Sequence, residues 1–364
     1  MGFSCGIVGL PNVGKSTIFN ALTAMGVAAE AFPFCTIEPN VGKVVVPDER
    51  LQGLAELLRP EKVTPTTLEF VDIAGLVKGA SKGEGLGNQF LGHIRNLDAV
   101  AHIVRCFLDE NVAHVAARVN PKDDMTVVNL ELVLADLDSV RRRLEKSARL
   151  AKVGDKKARS EMELLEQLQD GLEQGRPVRS QPESIRSHPV LGELSLLTGK
   201  PMLYVLNVGE DDLGGASPIT REALSQAAAD GLETVILSGR IEAEIMALDR
   251  EDQDEYRVAM GLQQRGLDRL ISAGYGLLGL ITFYTTVGTE LRAWTIPRGT
   301  TALKAAGRIH TDMERGFIRA EVVGCADYLA AGSDAAVRER GLLRIEGRDY
   351  VVRDGDVLRF RFNV

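Results

Sequence analysis

Short apolar runs recur along the chain between stretches whose apolar positions fall three and four residues apart. From Cys5 to about Leu134, strand-like runs at Phe3 to Val8, Val41 to Val46, Leu68 to Val71 and Val100 to Phe107 alternate with amphipathic helical stretches at Leu51 to Leu58 and Asn88 to Asn96. Strands separated by helices in this way fold as a doubly wound parallel sheet, so the fold class is α/β. Two later runs, Met202 to Leu206 and Glu233 to Leu237, are expected to complete the same sheet.

Between them, from Met125 to about Thr198, the period changes. Apolar residues at Leu130, Val133, Leu134, Leu137, Val140 and Leu144, and again at Met162, Leu165, Leu168 and Leu172, describe two amphipathic helices. Gly154-Asp155 marks a turn between them, which predicts an antiparallel helical hairpin. From Leu280 onward, β-like runs at Ile281 to Val287, Arg292 to Ile296, Phe317 to Val322, Arg348 to Val352 and Val357 to Phe362 are punctuated by glycine, as in a small α+β module. The expected division is residues 1–124 with 199–279, then 125–198, then 280–364.

Charge changes this picture in one place. The chain of 364 residues carries a formal charge of −8, which discourages nucleic-acid binding by the molecule as a whole. Ser139 to Arg159, around the hairpin turn, nevertheless holds nine Lys/Arg against two Asp/Glu. Such a tip suits an anionic partner, the alternative being a solvated helix face. Leu280 to Val364 holds 13 Lys/Arg and 11 Asp/Glu, which permits RNA contact without requiring it. Cys5, Cys35, Cys106 and Cys325 are widely separated, against a zinc site or a disulfide framework. No apolar run approaches the roughly 20 residues that span a bilayer, and the start lacks a signal-peptide pattern, so a cytoplasmic chain with no membrane partner is expected.

The candidate chemistry begins at Gly9-Leu10-Pro11-Asn12-Val13-Gly14-Lys15-Ser16-Thr17, which fits G-x-x-x-x-G-K-[ST] directly after a strand and before a helix. In that context the backbone N–H groups from Asn12 to Thr17 close around a β-phosphate. Lys15 reaches the β and γ oxygens, and the Ser16 hydroxyl ligates Mg²⁺. Asp72, at the end of the strand Leu68 to Val71, is placed to hold Mg²⁺ through water, and Gly75 leaves its N–H free for a γ-phosphate. Between them Thr36 is the hydroxyl available to a triphosphate-bound Mg²⁺, hence a first switch. The glycine-rich stretch Gly75 to Gly87 suits a second.

The segments G-L-P-N-V-G-K-S-T, F-P-F-C-T-I-E-P-N and D-I-A-G-L-V-K-G-A-S-K-G-E-G-L-G-N resemble the Obg-like ATPase family, the YchF branch of the Obg-related translation-factor GTPases. R-A-W-T-I-P, I-H-T-D, G-F-I-R-A-E and the ending D-G-D-V-L-R-F-R-F-N-V extend the likeness to the whole chain. The resemblance implies a P-loop nucleotide-binding domain interrupted by a coiled-coil hairpin and followed by a ubiquitin-like (β-grasp) TGS domain. A monomer that meets the ribosome at its large subunit and ribosomal RNA, through the basic hairpin tip and the TGS module, is the expected partner arrangement. After D-x-x-G, Ras-like enzymes carry a glutamine that orients the attacking water, whereas this chain has Leu76. The resemblance makes His114 the water-orienting group, with His93 as the other candidate. Asn12 resembles the asparagine of relatives that use K⁺ in place of an arginine finger; a turn-forming asparagine is the alternative.

Base recognition is expected at Asn207-Val208-Gly209-Glu210, where Ras-like enzymes carry N-K-x-D, with Ser238 after the next strand in the same nucleotide-binding set. Val208 supplies no lysine stem, and Glu210 is displaced from the guanine edge by one methylene. Adenine is instead met by Asn207 and the backbone at Val208, and N-x-x-E resembles the ATP-preferring family. The leading expectation is therefore an Mg²⁺-dependent ATPase switch. The alternatives are a GTP-specific Obg-type GTPase and a nucleotide-gated binding protein with negligible turnover.

Overall fold

The structure, a computed structural model, describes residues 3–25, 40–73, 86–109, 111–112 and 118–363. Its strands are β1 (Ser4–Val8), β2 (Asn40–Val45), β3 (Lys62–Thr64), β4 (Thr67–Asp72), β5 (Ala99–Cys106), β6 (Met202–Val208), β7 (Thr234–Leu237), β8 (Leu280–Val287), β9 (Glu290–Pro297), β10 (Phe317–Gly324), β11 (Arg344–Glu346) and β12 (Asp356–Phe362). They fall into two compact units, Met1–Val44 with Glu69–Gly274, and Val45–Leu68 with Tyr275–Val364.

In the first unit the sheet order is β2-β4-β1-β5-β6-β7, and β4, β1, β5, β6 and β7 run parallel. All eight residues of β5 are buried, as helices on both faces of a parallel sheet require. The chain leaves β1 toward β4 and returns to β5 on the other side, so the order reverses at β1. Ligands of such sheets bind at the carboxyl ends of the strands beside that reversal.

The helical insertion grows from the same unit. Helix Pro121–Lys152 begins four residues before the expected Met125, because the Asn120 side chain accepts the Asp123 N–H at 3.2 Å and proline occupies the first turn. Gly154 turns the chain at φ 94°, and Asp155 caps helix Lys156–Glu173. Val133, Leu137 and Val140 pack with Leu165, Leu168 and Leu172 along the seam. Arg143 pairs with Glu161 and Arg141 with Glu173, a register that runs antiparallel. At the root, buried Asp136 accepts N–H bonds from Leu197 and Thr198 at 2.7 Å each, and Arg95 donates to Ser139 Oγ at 2.7 Å.

The second unit has the order β11-β10-β12-β8-β9-β3. β8 and β9 form an antiparallel hairpin, and β12 returns parallel to β8 in the middle of the sheet. One face packs Phe283, Ile296, Ala305, Phe317 and Leu358. The other packs Tyr284, Leu291, Val323 and Tyr328 with Leu51 and Leu54 of helix Glu49–Leu58.

That helix is a correction. Residues 45–68, assigned from sequence to the nucleotide-binding domain, belong to the second unit, where β3 extends the sheet parallel to β9. Asp48 caps the helix and accepts from the Tyr284 hydroxyl, while Arg50 bridges Asp48 at 3.0 Å and Asp354 at 2.8 Å. The run Arg348 to Val352, expected as a strand, makes only an isolated bridge from Val351 to Thr301. β10 is already flanked by β12 and β11, so that run finds no free edge beside it.

Candidate nucleotide-binding site

The glycine-rich loop leaves β1 in a path that side chains would block. Gly9 has φ 156°, and a Cβ there would lie 2.6 Å from the Ile103 carbonyl oxygen; Gly14 has φ 94°, and a Cβ there would lie 2.2 Å from Asn207 Nδ2. Asn12 is left-handed at φ 61°, the conformation of a turn-forming asparagine. Helix Lys15–Ala24 then starts with no side-chain cap, so its first N–H groups are left to a phosphate, with Val13, Gly14 and Thr17 in the same cradle.

Lys15 is buried, and its Nζ donates to the Leu10 carbonyl at 2.8 Å. Burial lowers its pKa, against the opposing pull of Asp72. Asp72 ends β4, the strand hydrogen-bonded to β1, and lies close enough to Ser16 and Lys15 for both to favour its charged form. Burial raises the Asp72 pKa despite Lys15 and Ser16, and its Oδ1 is buried with no hydrogen-bond partner. A hydroxyl and an orphaned carboxylate oxygen are hard donors that fit Mg²⁺, which takes few protein ligands and completes its shell with phosphate and water.

Beside this cradle a cleft of about 780 Å³ opens past the ends of β5, β6 and β7. Thr17, Phe107, Val208, Glu210, Ser238 and Ala243 are among its walls. Asn207, at the end of β6, is engaged at both ends of its amide: Nδ2 donates to the Val13 carbonyl and Oδ1 accepts the Gly239 N–H, each at 2.9 Å. It therefore latches the phosphate loop to the loop after β7. Glu210 is held by Arg240 at 2.9 Å, and Arg240 also meets Glu244 at 3.2 Å. Ser238 is buried at the N-terminus of helix Gly239–Ala247.

Thr36, Gly75, Leu76, His114 and Cys35 lie outside the described residues. His93 sits on helix Leu86–Arg95, partly exposed. Cys5, Cys106 and Cys325 are buried free thiols. Arg105, outside the residues expected at the site, is buried on β5 and donates to the backbone carbonyls of Phe107, Asp109 and Val112 at the cleft wall and of Asn12 in the phosphate loop. Its signal in the sequence is an arginine inside the run Val100 to Phe107, where every other residue but His102 is apolar.

A parallel sheet carrying a glycine-rich phosphate loop, a buried lysine and an aspartate at the next strand's end defines a P-loop nucleoside-triphosphate hydrolase. Residues 4–135 match the family described as "50S ribosome-binding GTPase", and residues 280–363 match the YchF GTPase C-terminal family, described as "Protein of unknown function (DUF933)". Over the full length of both chains, the sequence is 50% identical to the Ribosome-binding ATPase YchF of Bacillus subtilis (strain 168) and 51% identical to that of Escherichia coli O157:H7. The solved structure of the Schizosaccharomyces pombe YchF GTPase superposes with a TM-score of 0.87 at 34% identity, over 99% of this chain and 98% of that one. The chain belongs to the YchF family.

Proposed function

We propose that this enzyme hydrolyses ATP in preference to GTP with Mg²⁺, and that its nucleotide state governs binding to the ribosome. The observation that carries the base preference is the ion pair between Glu210 and Arg240, with Val208 where a lysine stem would lie. A guanine brought to this edge competes with Arg240 for the Glu210 carboxylate. Leaving its N1–H and amine unpaired costs about 1–3 kcal/mol, roughly a tenfold loss or more. The name "Ribosome-binding ATPase", carried by relatives that are half identical, supports both halves of the reading.

In the chemical step Lys15 would meet the β and γ oxygens, and Ser16, Asp72 and Thr36 would hold the metal. Bound Mg²⁺ supplies charge neutralisation of the β and γ oxygens. Gly75 meets the γ-phosphate through its N–H, and His114 orients the attacking water in place of the glutamine that Leu76 replaces. Residues 125–198 act as a hairpin arm whose basic tip meets ribosomal RNA of the large subunit. The C-terminal unit is read as a TGS domain, supported by its β8–β9 hairpin and the central parallel β12. No described helix is long and apolar enough to cross a membrane. The reading takes the protein as a monomer working at cytoplasmic ribosomes.

ATP and GTP affinities measured side by side test the preference. The double variant Val208→Lys with Glu210→Asp should move it toward GTP. Wild-type protein that binds GTP at least as tightly as ATP overturns the reading in favour of an Obg-type GTPase. Phosphate release no faster than in Lys15→Ala leaves only a nucleotide-gated binding protein.

A further inference from the structure

Arg105 is among the largest fully buried side chains, at 1% exposure, two residues before the cleft wall begins. Its guanidinium reaches the wall from behind. Nε donates to the Phe107 carbonyl at 3.2 Å, Nη1 to that of Val112 at 3.1 Å and Nη2 to that of Asp109 at 3.3 Å. A longer bond of 3.5 Å runs from Nη1 to the Asn12 carbonyl in the phosphate loop. The guanidinium also lies 4.6 Å from the centre of the Phe107 ring. A charge buried this deeply is tolerated only when its donors are satisfied, and a planar fork of five N–H groups can do this where an ammonium cannot.

The three closest acceptors belong to one short segment, and that segment lines the cleft through Phe107, Leu108, Asp109 and Val112. Leu108 is 75% exposed there, a large aliphatic side chain held out over the cleft. The phosphate cradle, by contrast, keeps its own bonds through Lys15 and Asn207.

We propose that Arg105 is a positioning residue for the base: through the carbonyls of Phe107, Asp109 and Val112 it holds these wall residues on the base side of the cleft, and so sets affinity for the nucleoside part of the nucleotide. This rests on the ATP reading above, deepens it, and is tested separately from it.

The test compares wild type with Arg105→Met, Arg105→Lys and Leu108→Ala, titrated with Mg²⁺-ATP, Mg²⁺-GTP and inorganic tripolyphosphate. Arg105→Met should weaken ATP binding by about tenfold or more and shrink the ATP-over-GTP ratio, with tripolyphosphate affinity held within about twofold. Arg105→Lys should behave like Arg105→Met, since a lysine cannot span three carbonyls. Leu108→Ala, at an exposed position that folding does not depend on, should show a milder form of the same pattern. The proposal is overturned if tripolyphosphate affinity falls in step with ATP affinity, if lysine restores full affinity, or if Leu108→Ala leaves ATP binding unchanged. Wild-type protein without an ATP preference would defeat the ATP reading alone, because the ratio of nucleotide to tripolyphosphate affinity still judges Arg105.

Discussion

Replacing Asn207 with alanine removes both bonds of the latch between the phosphate loop and the loop after β7. The residue is 4% exposed, so water is not at hand to replace its amide, and the Val13 carbonyl and the Gly239 N–H are both left short of a partner. Each unpaired buried group costs about 1–3 kcal/mol, and local relaxation recovers part of the sum. With about 2 kcal/mol reaching the bound state, ATP binding weakens roughly thirtyfold. Titration calorimetry with Mg²⁺-ATP reads this directly, and a thermal melt of the free protein separates lost affinity from lost folding. Asn207→Asp refines the test, since it keeps the acceptor for Gly239 but sets a carboxylate against the Val13 carbonyl. Its affinity should also fall, and more steeply at low salt. Gly14→Ala attacks the same contact from the other side, because its Cβ would lie 2.2 Å from Asn207 Nδ2 at a φ of 94°. If Asn207→Ala binds ATP within about threefold of wild type, under roughly 1 kcal/mol, the latch does not organise the site and the argument fails.

The hairpin tip should bind ribosomes through charge. Arg141 and Arg143 are engaged with Glu173 and Glu161, so reversal to glutamate belongs at the exposed Arg142, Lys146, Arg149 and Lys152. Co-sedimentation with ribosomes should be lost while ATP affinity holds, and wild-type binding should fall steeply with salt; intact co-sedimentation would point to the C-terminal unit instead. His114→Ala should slow turnover with little change in ATP affinity, and turnover surviving within about twofold, under roughly half a kcal/mol, would return attention to His93. His102 on β5 is held neutral by burial, with Arg179 and Lys15 adding to the effect, its pKa lowered from 6.5 to about 3. The unfolded chain takes up that proton first, so stability falls as pH drops from 6.5 toward 3, by up to about 1.4 kcal/mol per pH unit. His102→Phe should flatten the slope in urea titrations between about pH 4.5 and 6.5, and an unchanged slope would assign the acid lability to other groups.

What was legible in the sequence was legible for physical reasons. The phosphate loop announces itself because its ligand is a fixed chemical object: closing a backbone around a phosphate demands glycine at Gly9 and Gly14 and a lysine at Lys15, all within seven residues. The buried strands β1, β5 and β6 and the helical hairpin follow from periodicity, which is equally local. The move of residues 45–68 into the second unit was not legible. Lys62–Thr64 is too short and too exposed to carry a pattern, and its partner is Glu290 to Arg292. Helix Glu49–Leu58 has an apolar stripe that would suit either sheet. Only the pairing of Asp48 and Arg50 with Tyr284 and Asp354 decides between them, across more than two hundred residues.

Asn207 and Arg105 mark a different boundary. Asn207 stands out by its place at the end of β6, and its partners are the carbonyl of Val13 and the N–H of Gly239. Arg105 binds the carbonyls of Asn12, Phe107, Asp109 and Val112. Any residue type at those positions would present the same oxygen, so no spacing rule or residue pair can betray the contact. A charge inside a buried strand is the one trace such a group leaves, because only a satisfied guanidinium can lie there at acceptable cost. Charged residues that break an apolar strand near the carboxyl end of a nucleotide-binding sheet are therefore where sequence reading should look for the groups that hold loops together.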